Sequence, residues 1–131
     1  MGNSMKIKAG IYILLFIVVI GGVGPLSAQT ATLSPQKPIV TFIELGSVNC
    51  IPCKAMQPIM EEVRNKYPGQ VRVIFHDVWT PKGQPYGQFF KIKVIPTQIF
   101  LDKNGKEYFR HEGFFPAEEL YKILAKGGVK L

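Results

Sequence analysis

The two cysteines of the chain, Cys50 and Cys53, are the residues whose type and spacing are best suited to chemistry. Two residues separate them, so their sulfurs can form a disulfide bond with each other and open it again. They stand where a strand-like segment ending at Leu45 gives way to a helix-like segment beginning at Ile51. Unpaired amides at a helix N-terminus favour negative charge, which lowers the pKa of a thiol placed there. The pair is therefore predicted to be a redox centre.

Other uses of a cysteine pair are less well supported by the sequence. A structural disulfide that closes so short a loop restricts the unfolded chain little, so it would stabilise the fold poorly. A zinc site needs two further ligands, and the two histidines, His76 and His111, do not have the spacing of a zinc module. Attachment of a c-type haem needs His directly after the second cysteine, where Lys54 stands. We expect no metal and no cofactor besides the Cys50–Cys53 disulfide.

The charge of the chain does not indicate a nucleic-acid partner. The formal net charge is +7, but the basic residues are scattered, with no run of Lys or Arg and no aromatic residues interleaved with them. Such a surface attracts anions weakly and without specificity. Nucleic-acid binding is therefore not expected.

Residues 1–28 have the pattern of an export signal or a membrane anchor. Lys6 and Lys8 precede an uncharged segment from Ala9 to Ala28, as in a signal peptide with its cleavage site after Ala28. The segment is also long enough to span a bilayer, so cleavage and retention as an anchor both stay open. We expect a linker over residues 29–36 and a single exported domain over residues 37–131.

Hydrophobic patterns in residues 37–131 predict alternating strands and helices. Strands are predicted at Pro38–Leu45, Val71–Val78, Val94–Leu101 and Lys106–His111, and helices at Ile51–Tyr67, Tyr86–Lys91 and Pro116–Lys126. The strands are rich in β-branched and aromatic residues, and the first and last helices repeat apolar residues every three or four positions. The predicted fold class is α/β, with a central mixed sheet of four or five strands and helices on both faces.

This order of elements resembles the thioredoxin fold over about residues 37–126. Four separated features carry the resemblance: Cys50-Ile51-Pro52-Cys53-Lys54, Pro58 within the following helix, Ile95-Pro96-Thr97 before a strand, and Gly113 before the last helix. The resemblance implies a thiol–disulfide oxidoreductase. It assigns Cys50 as the nucleophile that attacks a partner's disulfide and Cys53 as the thiol that resolves the mixed disulfide.

The resemblance also implies a substrate-binding surface around the cysteines. Pro96 is expected to form a cis peptide bond and, with Ile95, to offer its backbone to an extended substrate. Ile51, Pro52 and Thr97 are expected to contact the substrate as well.

Glu44 occupies the place where thioredoxins carry a buried aspartate that shuttles a proton to and from the second cysteine. A carboxyl group in an apolar strand should have a raised pKa, which suits a proton shuttle near neutral pH. The alternative is a glutamate at the end of the strand whose side chain points to solvent.

Two departures from thioredoxin predict a specialised role. Asn49 replaces an aromatic residue and Ile51 a glycine, so we expect only a few disulfide-bearing or dithiol partner proteins. Pro52 is typical of reducing members, which favours a reductant, and the resemblance implies a transmembrane thiol carrier as its electron donor. We expect a monomer in the periplasm or at the outer face of the cytoplasmic membrane, with membrane contact only through the N-terminal segment. A disulfide-inserting oxidant and a non-catalytic binding module stay open.

Overall fold

A computed structural model describes residues 37–131 of the chain. The predicted export segment and linker, residues 1–36, lie outside the described residues. The elements, in chain order, are β1 (Val40–Gly46), α1 (Ile51–Lys66), β2 (Val71–Asp77), α2 (Gln84–Phe89), β3 (Thr97–Leu101), β4 (Glu107–Glu112) and α3 (Ala117–Lys126). Every predicted strand and helix is present. No helix in this part of the chain is long and apolar enough to cross a membrane.

Two element boundaries differ from the prediction. Strand β3 begins at Thr97 and not at Val94, because Pro96 has no amide proton to give to a neighbouring strand. Helix α2 begins earlier, at Gln84, and Pro85 lies in its first turn, where a missing amide donor costs nothing.

In the described part of the chain, residues 37–131, the sheet has four strands in the order β2-β1-β3-β4. Strand β1 pairs in parallel with β2, whereas β3 runs antiparallel to both β1 and β4. The prediction of a mixed α/β sheet is therefore confirmed, and it is the four-stranded form. Because β1 is central, its carboxyl end lies inside the sheet and leads directly into the cysteines.

Alternation along β1 separates two hydrophobic clusters. Val40 and Phe42 face the larger cluster, which α1 and α3 complete, and Phe42 stacks on Phe100 with ring centroids 4.9 Å apart. Ile43 and Leu45 face the smaller cluster on the opposite side. Because side chains alternate between the faces of a strand, the next even-numbered positions of β1 also point toward α1.

Candidate functional site

The two cysteines form a disulfide bond at the start of α1. The Cα atoms of Cys50 and Cys53 are 5.2 Å apart. Cys50 is the N-cap of the helix, and its sulfur accepts a hydrogen bond from the backbone N–H of Cys53 at 3.4 Å. The first turn of α1 contains no acidic residue, so nothing there offsets the attraction of the helix N-terminus for a thiolate.

The two sulfurs have different surroundings, which separates their roles. Cys50 retains 7% of its accessible surface, whereas Cys53 is completely buried. Ile51, which follows Cys50, is 82% exposed, and Pro52 is exposed as well. A partner can therefore approach the disulfide from the Cys50 side, while Cys53 can be reached only from within the site.

Gly46, the last residue of β1, provides the surface on which Cys53 packs. A Cβ atom at Gly46 would lie 3.1 Å from the Sγ atom of Cys53 and 3.2 Å from its Cβ atom, closer than side chains normally approach. The predicted first strand ended at Leu45, so Gly46 lay outside it and had no predicted role. A glycine at the end of a buried strand, a few residues before the cysteines, is the signal that could have identified it.

Glu44 is fully buried on the face of β1 that points toward α1. It lies two residues before Gly46, so the side-chain positions of the two residues are about 7 Å apart on one face. Burial raises the pKa of Glu44 to about 8, and the nearby side chain of Gln98 acts in the opposite direction. Neither carboxyl oxygen has a hydrogen bond of good geometry within residues 37–131. The structure therefore disagrees with the solvent-facing alternative for Glu44.

The loop before β3 lies beside the end of β1, because Thr97 pairs with Leu45 across the two strands. The Ile95–Pro96 peptide bond is cis, and the carbonyl of Pro96 accepts a hydrogen bond from the N–H of Gly113 at 2.8 Å. Ile95 is half-buried and Pro96 is buried. The side chain of Thr97 is completely buried and donates its hydroxyl to the carbonyl of Val94 at 2.7 Å. This side chain is therefore not exposed to a partner protein.

Asp77, which had no predicted role, holds two loops together at the carboxyl end of the sheet through hydrogen bonds. Its carboxylate accepts hydrogen bonds from the N–H of Val48 at 3.2 Å and from the N–H of Trp79 at 3.1 Å. Val48 and Trp79 are 54% and 62% exposed. With Ile51, they are exposed apolar side chains in the segments that follow β1 and β2, and we call these three residues the apolar rim.

Other clusters do not extend the redox centre. An open cleft of about 360 Å³ lies between β2 and α2, and its lining includes His76 stacked on Tyr86 with ring centroids 3.6 Å apart. Burial lowers the pKa of His76, and neither cysteine lines this cleft. Within residues 37–131, no group of three or more histidine, cysteine or acidic side chains could hold a metal ion.

Comparison with known proteins identifies the family. The sequence profile of the thioredoxin-like domain matches residues 27–128, so the chain belongs to the thioredoxin-like family. Chloroplastic thioredoxin Y of Oryza sativa subsp. japonica is 34% identical over 89 residues, which cover 68% of this chain and 50% of the rice protein. The chain therefore spans half the length of that relative. A thioredoxin of Staphylococcus saprophyticus is 29% identical over 87 residues, covering 66% of this chain and 81% of the bacterial protein.

Solved structures agree on the fold. A chloroplastic thioredoxin z matches with a TM-score of 0.62 and 22% identity, covering 70% of this chain and 80% of the other. The germline-specific thioredoxin Deadhead of Drosophila melanogaster matches with a TM-score of 0.60 and 23% identity, covering 70% and 83%. Family membership together with the Cys50–Cys53 disulfide makes the chain a thiol–disulfide oxidoreductase.

Proposed function

We propose that this protein is an extracytoplasmic oxidoreductase that reduces disulfides in a few partner proteins through its Cys50-Ile51-Pro52-Cys53 pair. The observation that carries the proposal is the unequal placement of the two sulfurs. Cys50 caps α1 beside the exposed Ile51, whereas Cys53 is buried against Gly46 on the face of the sheet that also holds Glu44. This is the arrangement that an attacking thiol and a resolving thiol require.

The proposed cycle begins with the reduced protein. The Cys50 thiolate attacks one sulfur of the partner's disulfide, which forms a mixed disulfide and releases the partner's other thiolate. Cys53 then gives its proton to the carboxylate of Glu44 and attacks the sulfur of Cys50. The bond to the partner breaks, its second thiolate leaves and takes up a proton, and the Cys50–Cys53 disulfide is formed. The partner gains two electrons and the cysteine pair loses two.

Selectivity for few partners is supported by the surface around Cys50. Ile51 is exposed in the first turn of α1, and Val48 and Trp79 are the other exposed members of the apolar rim. Substrate backbone is proposed to lie along Ile95 and Pro96, where main-chain hydrogen bonds of the strand type bind an extended chain. A bulky, apolar Ile51 would restrict which chains fit against that backbone.

The direction of electron flow and the location are supported by the sequence. Pro52 before the second cysteine is typical of reducing relatives, and residues 1–28 have the pattern of an export signal or anchor. A reductant outside the cytoplasm needs a transmembrane thiol carrier to supply its electrons. We also propose that the protein acts as a monomer.

Trapping of mixed disulfides tests the catalytic roles. In a Cys53→Ala variant the resolving thiol is missing, so partner proteins should remain joined to Cys50 and migrate as adducts that a reductant releases. The matched control is Cys50→Ala, which should trap none. If the Cys53→Ala variant also traps none, the protein is better described as a binding module than as a reductase.

The redox equilibrium of the Cys50–Cys53 pair with glutathione tests the direction of electron flow. A reductant should have a potential near that of thioredoxin, on the order of −270 mV, whereas a strong oxidant lies near −120 mV. A measured value close to the oxidising end would contradict the proposed reduction of partners and favour disulfide insertion.

A further inference from the structure

Gln98 is a second buried polar residue beside the redox centre. It lies in β3, directly opposite Glu44 in the register of the β1–β3 pair. Residues that face each other across antiparallel strands project from the same face of the sheet. Both side chains are completely buried. Two long polar side chains therefore meet inside the core that α1 covers.

The hydrogen bonds of this pair are incomplete. The Nε2 atom of Gln98 donates to the carbonyl of Gly113 at 3.1 Å. The Oε1 atom of Gln98 and both carboxyl oxygens of Glu44 have no partner within residues 37–131. Buried polar groups without hydrogen-bond partners destabilise the folded protein. Their presence in the core therefore indicates a functional role.

The donor count of the amide indicates what that function is. A glutamine amide has two N–H donors, and only one of them is needed for the carbonyl of Gly113. The bond to Gly113 orients Nε2 and leaves its second N–H for an acceptor on the neighbouring strand. A protonated Glu44 accepts only weakly, whereas an ionised Glu44 is a strong acceptor in the same place.

We propose that Gln98 is a positioning residue for Glu44, which donates its second amide N–H to the Glu44 carboxylate that takes the proton from Cys53. This inference rests on the proposed function of Glu44. Through Gly113, whose N–H is bonded to the carbonyl of Pro96, Gln98 also connects Glu44 to the loop proposed to bind substrate. Gln98 touches neither substrate nor sulfur in this scheme and acts only through Glu44.

Within residues 37–131, few other titrating groups belong to the elements around Glu44. Across β1, its parallel neighbour on β2 is Phe75, which is apolar. On the side of α1, Cys53 titrates when it is reduced, and its sulfur packs against Gly46 on the same face of β1. Beyond Gln98, the next residue in register is His111 of β4, whose Nε2 atom lies 3.1 Å from the carbonyl of Phe114.

The first test measures resolution against pH in the full-length chain. The reduced protein is mixed with a chromogenic aromatic disulfide, and the second release of aromatic thiol reports the attack of Cys53 on the mixed disulfide. Gln98→Met keeps the length of the side chain and removes both donors. Near neutral pH it should slow the second release about tenfold and move the midpoint of its pH profile upward by about one unit.

Two controls separate positioning from loss of structure. The same change at the exposed Gln88 should leave the profile unchanged. In a Glu44→Gln background, Gln98→Met should add no further shift, because no carboxylate remains to be held. An unchanged midpoint in Gln98→Met, or an equal slowing in both backgrounds, would overturn the proposal.

A second measurement needs no substitution at Gln98. In the reduced protein, the NMR signals of the Gln98 side-chain amide should move with pH at the same midpoint as the carboxyl carbon of Glu44, and Glu44→Gln should abolish that movement. Amide signals that ignore the titration of Glu44 would refute the contact. If Glu44→Gln does not slow resolution, the proton shuttle fails, yet this titration still decides whether Gln98 holds Glu44.

Discussion

Replacing Glu44 by glutamine should stabilise the protein, and increasingly so as the pH rises. The structure buries Glu44 completely and raises its pKa from 4.5 to about 8. Between these two values the folded state keeps a proton that the unfolded state has lost. The unfolded state therefore binds fewer protons, and the free energy of unfolding must fall as the pH rises through this window.

The magnitude follows from the two pKa values. At neutral pH the buried carboxyl should cost on the order of 3 kcal/mol of stability relative to a neutral group, and at pH 5 about 1 kcal/mol. Glutamine has nearly the same shape and no charge, so Glu44→Gln should remove this pH-dependent cost. The difference in stability between variant and wild type should therefore grow by about 3 kcal/mol between pH 5 and pH 8.

Urea unfolding of the oxidised protein at several pH values provides the assay. The disulfide is kept closed so that neither cysteine titrates, and all other ionisable groups cancel in the comparison of variant with wild type. A difference that stays constant from pH 5 to pH 8 would show that Glu44 has an ordinary pKa and is accessible to water. The burial argument for a proton shuttle would then be wrong.

Three further substitutions test other parts of the site. Gly46→Ala should cost about 1–3 kcal/mol in urea unfolding and should slow attack by Cys53, because the new Cβ atom would lie 3.1 Å from its sulfur. Ile51→Ala should change stability by no more than about 0.5 kcal/mol, since the side chain is 82% exposed. It should slow reduction of protein disulfides but not of glutathione disulfide. Asp77→Ala should lower the free energy of unfolding by about 1 kcal/mol, because two loop amides lose their hydrogen bonds to the carboxylate. It should also increase amide hydrogen exchange at Val48, and unchanged exchange there would contradict the hydrogen bond between Asp77 and Val48.

The fold could be predicted in outline because its signals are local. The apolar residues that recur every three or four positions in the helices, and the β-branched and aromatic residues of the strands, lie within a few residues of one another. These patterns correctly predicted the type and order of every element in residues 37–131. They were less reliable at ends such as the start of β3, where Pro96 removes a donor.

The cysteine pair, its place at the start of a helix and the class of chemistry were determined by the sequence alone, because they depend on residues within one turn. The tertiary structure decided the rest. Whether the side chain of Glu44 is exposed to water depends on how α1 packs over β1. The pairing of Glu44 with Gln98 depends on the register of two strands that are far apart in the chain. The tie from Asp77 to Val48 spans 29 residues. No local pattern encodes such neighbours, since each arises only when distant segments pack together.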